Sequence, residues 1–370
     1  MKEKFDLNKL VLVGETTEAS LRRTSEILRN QGLNPNVTIE FISKEQGVFS
    51  GYGEISQIIS RFLPKAFRDE VWCLNDGDIF TKGEVVLRVN CTFAVIANYI
   101  TAINGVISSS SGWATGAKEC VDSSEGIPVV NFGAPHVHPN VVGIMDYSSI
   151  QGGAKGCSSI LGASLSDLTP VGSMNESLVV ILGDVVEAAE ALVNSGEPEL
   201  PKVVSIGILG DESEEAKKVV ENFPSIRGLK IETPDERGGI KGEVLREVRE
   251  RLDQLGFINT QLSISGDLSP KSIKDIIEIE KEWQSETNPN FENNDLDNTP
   301  SNNLNRRLVQ AIGIDRYIAC RKPLKIGSYL KLVDGNPVAK RGQVPGVLSG
   351  ARLNKLFVIS CIPPSGIYVP

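Results

Sequence analysis

From Pro128 to Cys320 the chain alternates short apolar runs with longer amphipathic stretches, and this rhythm constrains its fold more than any other feature. Each run ends in glycine or another small residue, a helix-period segment follows, and a new run begins. The runs read as strands at Val129–Phe132, Ser158–Leu161, Thr169–Ser173, Val203–Ile208, Leu229–Glu232, Gln261–Ser265 and Gly313–Cys320. Helices are expected between them at Pro139–Ile150, Leu178–Ser195, Ser213–Asn222, Lys241–Gly256 and Pro270–Glu282. A helix between two strands carries the chain back to its starting side, so the strands must be parallel. Seven or eight parallel strands predict an irregular α/β barrel, whose strand ends deliver side chains to one mouth.

The flanking segments have a different texture. Lys9–Gly14 and Thr38–Ile42 read as β-like runs around an amphipathic helix from Thr17 to Gln31, and Gly83–Asn90 reads as a strand. Phe93–Gly105 and Trp113–Ser123 read as two helices separated by the Ser108–Gly112 stretch. After Lys322-Pro323, the run Leu324–Val333, the pair Asp334-Gly335 and the segment Pro337–Lys340 form a hairpin signal. The expected organisation is an α+β, sandwich-like domain over residues 1–125 and a barrel over 126–323. A β-rich tail over 324–370 would return to the first domain. Gln284–Asn305 is rich in Asn and acids with almost no apolar residue, so a flexible surface insertion is expected there.

With 38 basic and 47 acidic residues the net charge is −9, which favours neither nucleic acid nor an anionic membrane surface. No apolar run approaches the ~20 residues of a membrane helix, and Met1–Asp6 carries no apolar secretory signature. The six cysteines (73, 91, 120, 157, 320, 361) stand singly, without a C-x-x-C pair. Free thiols in a cytoplasmic protein are the expectation, against a disulfide framework or a zinc site.

Three segments carry a resemblance. They are FGAPHVHPNVVGIMDYSSIQGGAKGCSSILGA from Phe132, the PVGSM turn from Pro170, and CRKPLKIGSYLKLVDGNPVAKRG from Cys320. With Gly83–Asn90, Ala97–Ala117, Ile231–Gly239 and Ser263–Leu268 in the same order and spacing, the chain resembles the nicotinate phosphoribosyltransferase family, particularly its shorter archaeal-type members. The resemblance implies a β-rich sandwich domain plus an irregular α/β barrel, in homodimers with active sites at the subunit interface. It also implies a reaction joining a pyridine nitrogen to the anomeric carbon of phosphoribosyl pyrophosphate, with Mg2+ and, in many members, ATP acting through a phosphorylated histidine. Such chemistry needs cations for phosphate and carboxylate, acids for magnesium and ribose, and a glycine loop for the 5′-phosphate.

The residues at the matching positions differ from that pattern. Pro135 and His136 stand where the family places paired arginines, and Glu176 stands where it places the phospho-accepting histidine. The strand that usually ends in Val-Asp-Thr reads Ile206-Gly-Ile208. Lys230-Ile-Glu232 replaces an Arg-x-Asp triplet and keeps both charges. Ser265-Gly266-Asp267 replaces Ser-Gly-Gly, and Gly313-Ile-Asp315-Arg316 replaces the glycine loop. A phosphate cradle works through close backbone N–H groups, and Asp315 and Asp267 bring negative charge to that place.

By resemblance, Glu176 and Glu232 occupy catalytic positions. His136, His138, Lys230, Ser265, Gly266, Asp267, Gly313, Asp315 and Arg316 occupy substrate-binding ones. His136 and His138 share a face and could pair on a metal, but no third ligand is at hand, so a structural or substrate-side role is expected and no metal. Glu176 fits loss of the ATP-coupled step, or mimicry of a phosphohistidine. Lys155 reads as a solvated charge or a new anion contact, and Arg88 as a residue that could reach a partner's pocket.

Two functions follow. One is a catalytically silent family member acting as scaffold, protein partner or regulator. The other is a divergent nicotinate phosphoribosyltransferase of NAD salvage, using Mg2+ and ATP. A related barrel acting on another phosphorylated compound is a third reading.

Overall fold

In the computed structural model, which describes residues 5, 7–63, 70–172, 174–195, 202–287 and 307–356, the apolar runs after Pro128 become six parallel strands. Their spatial order is Gly156–Cys157, Val129–Asn131, Ala311–Ile314, Gln261–Gly266, Gly228–Ile231 and Val203–Ile206. Outward positions of these strands (Leu229, Ile231, Ile264, Ile312) are fully or almost fully buried, as parallel strands under a helical layer must be. The sheet curls so that Val171, beyond one edge, and Val203, on the other, line the same interior. This is the α/β barrel, with six strands among the described residues where seven or eight were expected.

The differences have local causes. Thr169–Ser173 forms no strand over its described residues 169–172, although Val171 N donates to Cys157 O at 2.8 Å. Ser158–Leu161 is not a strand either. Pairing stops at Cys157, and Ser159 caps a helix, Ile160–Leu165, by accepting from Gly162 N. Gly313–Cys320 divides into the strand Ala311–Ile314 and a short helix, Arg316–Ala319. The Leu178–Ser195 stretch divides into Glu176–Leu182 and Val185–Val193, broken at left-handed Gly183 and recapped by Asp184. The helix Pro270–Thr287 takes in the first residues of the expected insertion, while 288–306 lie outside the described residues.

The chain divides into two compact units, residues 116–321 and residues 1–115 with 322–370, the first division falling after Thr115 rather than at residue 125. The second unit is built on an antiparallel sheet ordered Asn336–Pro337, Ile326–Val333, Asn36–Ser43, Val85–Thr92, Val71–Cys73 and Asn354–Lys355. The tail strand Ile326–Val333 pairs directly with Asn36–Ser43. Its hairpin turns at Asp334 and Gly335, both with positive φ, as the Asp-Gly signal requires. Phe41, Phe49, Ile55, Ile58, Ile59 and Leu87 fill the core beside the sheet.

Two readings of this unit change. Lys9–Leu12 is a short helix capped by Asn8, because a four-residue apolar run does not distinguish helix from strand. The Ser108–Gly112 stretch does not end a helix but lies inside one, Ile100–Ser123. Small residues serve close packing there. Ser111 Oγ accepts from Ser50 N at 3.2 Å, Thr115 Oγ1 accepts from Val48 N at 2.9 Å, and a Cβ on Gly112 would lie 2.8 Å from Lys322 O. Among the described residues no helix is long and apolar enough to cross a membrane. Cys73, Cys91, Cys120 and Cys157 are buried free thiols and Cys320 an exposed one, while Cys361 lies outside the described residues.

Candidate functional site

Strand alternation and register decide which side chains meet at the barrel mouth. Lys230 and Glu232 alternate along one strand and so share its inner face, and their side chains pair at 2.8 Å. Lys230 Nζ also lies 5.6 Å from the centre of the Phe132 ring, within cation–π range. One strand over, Ser265 Oγ donates to Asp315 Oδ1 at 3.3 Å. Asp315 is half-buried, and burial pushes its carboxyl above the usual range. The Ser265 hydrogen bond opposes the shift, Glu232 adds to it, and His136 and Lys230 oppose it. Lys230, Glu232, Ser265, Asp315 and His136 therefore form one electrostatic cluster.

Arg316 points elsewhere. Its guanidinium pairs with Asp267 on the exposed rim, and that pairing holds its pKa above the usual value. Gly266 accepts from both Asp315 N, at 3.1 Å, and Leu268 N, at 2.8 Å. Gly313 is required by contact, since a Cβ there would lie 2.8 Å from the Phe132 ring and 2.9 Å from Ser265 Oγ. At the strand end where the family's acid is replaced, Gly207 N donates to the buried Glu215 carboxylate at 2.8 Å.

Two expected residues stay out of the cluster. Glu176 opens the exposed helix Glu176–Leu182, in the turn whose Ser173 lies outside the described residues. His138 is exposed and uses Nδ1 to accept from Asn140 N at 3.2 Å, which makes it a turn cap. Lys155 is exposed. Arg88 pairs with fully buried Glu40 at 2.6 Å and donates to Leu348 O at 2.6 Å.

A buried network below the turn was missed from sequence. Asn131 Oδ1 accepts from Gly133 N at 3.1 Å, and Asn131 Nδ2 donates to Asp146 Oδ1 at 2.8 Å. Asp146 Oδ2 also accepts from Ser159 N at 3.3 Å and from Ser159 Oγ, and Cys157 Sγ bonds the same carboxylate. Burial still raises the Asp146 pKa, and it drives the Cys157 thiol to about 12. This network ties the strand end to the turn carrying Pro135 and His136. Gly133 has no space for a side chain, with Ala319 Cβ at 2.7 Å and Asp315 O at 2.8 Å from an added Cβ. The signal available in the sequence was a lone acid in the helix Val142–Gln151.

Glu232 and Asp267 each pair with a cation of the chain, and among the described residues no three Asp, Glu, His or Cys side chains converge on a metal position.

Comparison with known proteins places this geometry. Residues 17–111 match the quinolinate phosphoribosyl transferase N-terminal domain. A nicotinate phosphoribosyltransferase of Mycobacterium tuberculosis is 25% identical over 227 residues, covering 60% of this chain and 48% of that one. The chain thus spans about half the length of the curated relatives it matches. The crystal structure of nicotinate-nucleotide pyrophosphorylase from Pyrococcus furiosus superposes with a TM-score of 0.79 at 26% identity, over 94% of this chain and 82% of that one. In sequence and fold the chain is similar to nicotinate and quinolinate phosphoribosyltransferases. Human nicotinic acid phosphoribosyltransferase shares the fold of this chain, with a TM-score of 0.61 at 14% identity over 90% and 77% of the two chains.

Proposed function

We propose that this phosphoribosyltransferase relative is silent or strongly impaired in phosphoribosyl transfer and serves as a scaffold, protein partner or regulator. The observation that carries this reading is that three donors an incoming anion would need are already held by the chain's own carboxylates. Glu232 holds Lys230, Asp267 holds Arg316, and Glu215 holds the Gly207 N–H. A phosphate dianion would have to displace these partners and would also face Asp315. Two unit charges ~6 Å apart repel by about 3 kcal/mol at an effective dielectric of 20. A carboxylate at Glu176 cannot carry a phosphoramidate, so ATP coupling has no residue to act through there. A homodimer in the cytoplasm, without nucleic acid or membrane insertion, accompanies this reading.

One observation favours the second reading, a divergent nicotinate phosphoribosyltransferase of NAD salvage. Lys230 and Glu232 keep both charges of the family triplet, and Glu232 Oε2 is buried without a hydrogen-bond partner, as if awaiting one. Nicotinate and phosphoribosyl pyrophosphate, with Mg2+ and ATP, would then be its ligands.

Incubation of the purified protein with nicotinate, phosphoribosyl pyrophosphate, Mg2+ and ATP separates the two. Chromatography should detect no mononucleotide above the enzyme-free control. Turnover that scales with protein concentration would sink the silent reading.

A further inference from the structure

An edge strand turns alternate N–H and C=O groups away from its sheet, and folded chains usually cover or blunt them. In the antiparallel sheet, Ile326–Val333 pairs with Asn36–Ser43 along one side. On its other side Asn336–Pro337 pairs with Leu332 and Val333 alone, and Val338 N donates to Lys331 O at 3.0 Å. The chain then leaves the sheet. Among the described residues no strand pairs with the outer side of residues 327–330, and Leu330 is 40% exposed.

A groove of about 660 Å³ lies beside this open edge, and Ser328, Tyr329 and Leu330 line it. Buried Ile39, Phe93 and Ile100 supply apolar lining. The charged residues at the groove are Glu18 and Lys340, one of each sign, so it presents no net charge. Asn104 also lines it, and Asn104 Oδ1 is buried without a hydrogen-bond partner. Buried acceptors are normally met, so this atom marks a place for an occupant's donor. An added strand answers all three features, through main-chain bonds along the edge and alternate side chains in the groove.

The chain holds a segment of that chemistry. Residues 357–370 carry no charged side chain, and Ser365, Ile367 and Val369 stand at alternate positions, which share one face of an extended strand. The segment follows the far edge of the same sheet, where Leu356 N donates to Val71 O at 2.9 Å. Register puts Val71 level with Val89, Ile39 and Leu330, at the height of the groove. Five strand spacings separate the two edges, a crossing of ~24 Å at ~4.8 Å each. Extended at ~3.3 Å per residue, residues 357–370 reach ~46 Å, which leaves the last six free to pair.

We propose that this groove is a strand-addition site and that residues 365–370 of the same chain occupy it, on the outer side of Ile326–Val333. Ile367 and Val369 pack on Ile39, Phe93 and Ile100, and the Ser365 hydroxyl donates to Asn104 Oδ1. The site lies wholly in the unit of residues 1–115 and 322–370. It goes beyond the silent reading of the barrel mouth and does not rest on it.

Hydrogen exchange of the full chain, read at the backbone amides of residues 327–330, tests the proposal. The outward-facing amides should exchange at least tenfold more slowly in the parent than in a variant combining Ile367→Asp with Val369→Asp. Val369→Asp alone serves if the double variant folds poorly. A synthetic peptide PPSGIYVP, added in excess to the variant, should restore the protection, and the same peptide with both aspartates should not. Equal exchange in the parent and a folded variant would overturn the proposal, as would equal rescue by the aspartate peptide. Protection that falls when the parent is diluted would overturn it too, since the strand would then come from a second copy.

Discussion

Asp146 and Asp315 belong to the same barrel, one below the turn after Asn131 and the other at the end of the strand Ala311–Ile314, and burial raises both carboxyls. Asp146 is fully buried and is met by Asn131, Ser159 and Cys157, so its oxygens are supplied from all sides. Asp315 is half-buried, holds one long hydrogen bond from Ser265, and faces Glu232. The first is part of the frame that fixes the turn. The second sits in a mouth where carboxylates answer the chain's own cations. The difference separates residues that hold the fold from residues that set what the mouth accepts.

Asp146→Ala breaks the comparison most severely. It removes the carboxylate to which Asn131 Nδ2 and the Ser159 hydroxyl donate, and each buried group left unmet costs about 1–3 kcal/mol. Urea unfolding should show a loss on the order of 3 kcal/mol.

Asp315→Asn should do far less, changing stability by no more than about 1 kcal/mol. Its sign depends on pH. The folded pKa of Asp315 is raised, so the stability tied to its neutral form is complete below the unfolded value near 4 and is lost as pH rises through the folded value. Asparagine does not titrate. The variant should therefore gain on the parent as pH rises from about 4 toward neutrality. A variant that loses ground over that range would contradict a raised folded pKa for Asp315.

The rim pair is the mildest case. Asp267 and Arg316 are both exposed, and such pairs contribute about 0.2–1 kcal/mol. A double-mutant cycle with Asp267→Asn and Arg316→Gln should give a coupling below about 1 kcal/mol that shrinks with salt.

The parts of this molecule that could be read from its sequence are those governed by short-range periodicity. Strand–helix alternation set the parallel sheet, and Asp334-Gly335 set the hairpin turn. What could not be read depends on distant partners. Arg88 is explained only by Glu40 and Leu348, and Asp146 only by Asn131 and Ser159. The Ser108–Gly112 stretch looked like a break because small polar residues favour loops. Buried hydroxyl partners and the close approach of Lys322 keep it helical.

Calorimetric titration with magnesium–phosphoribosyl pyrophosphate tests most directly whether the mouth's carboxylates exclude phosphate. We expect no saturable heat with the parent protein, and binding at least tenfold stronger when Asp267→Gly and Asp315→Gly are combined. Saturable micromolar binding by the parent, unimproved by the double variant, would contradict it.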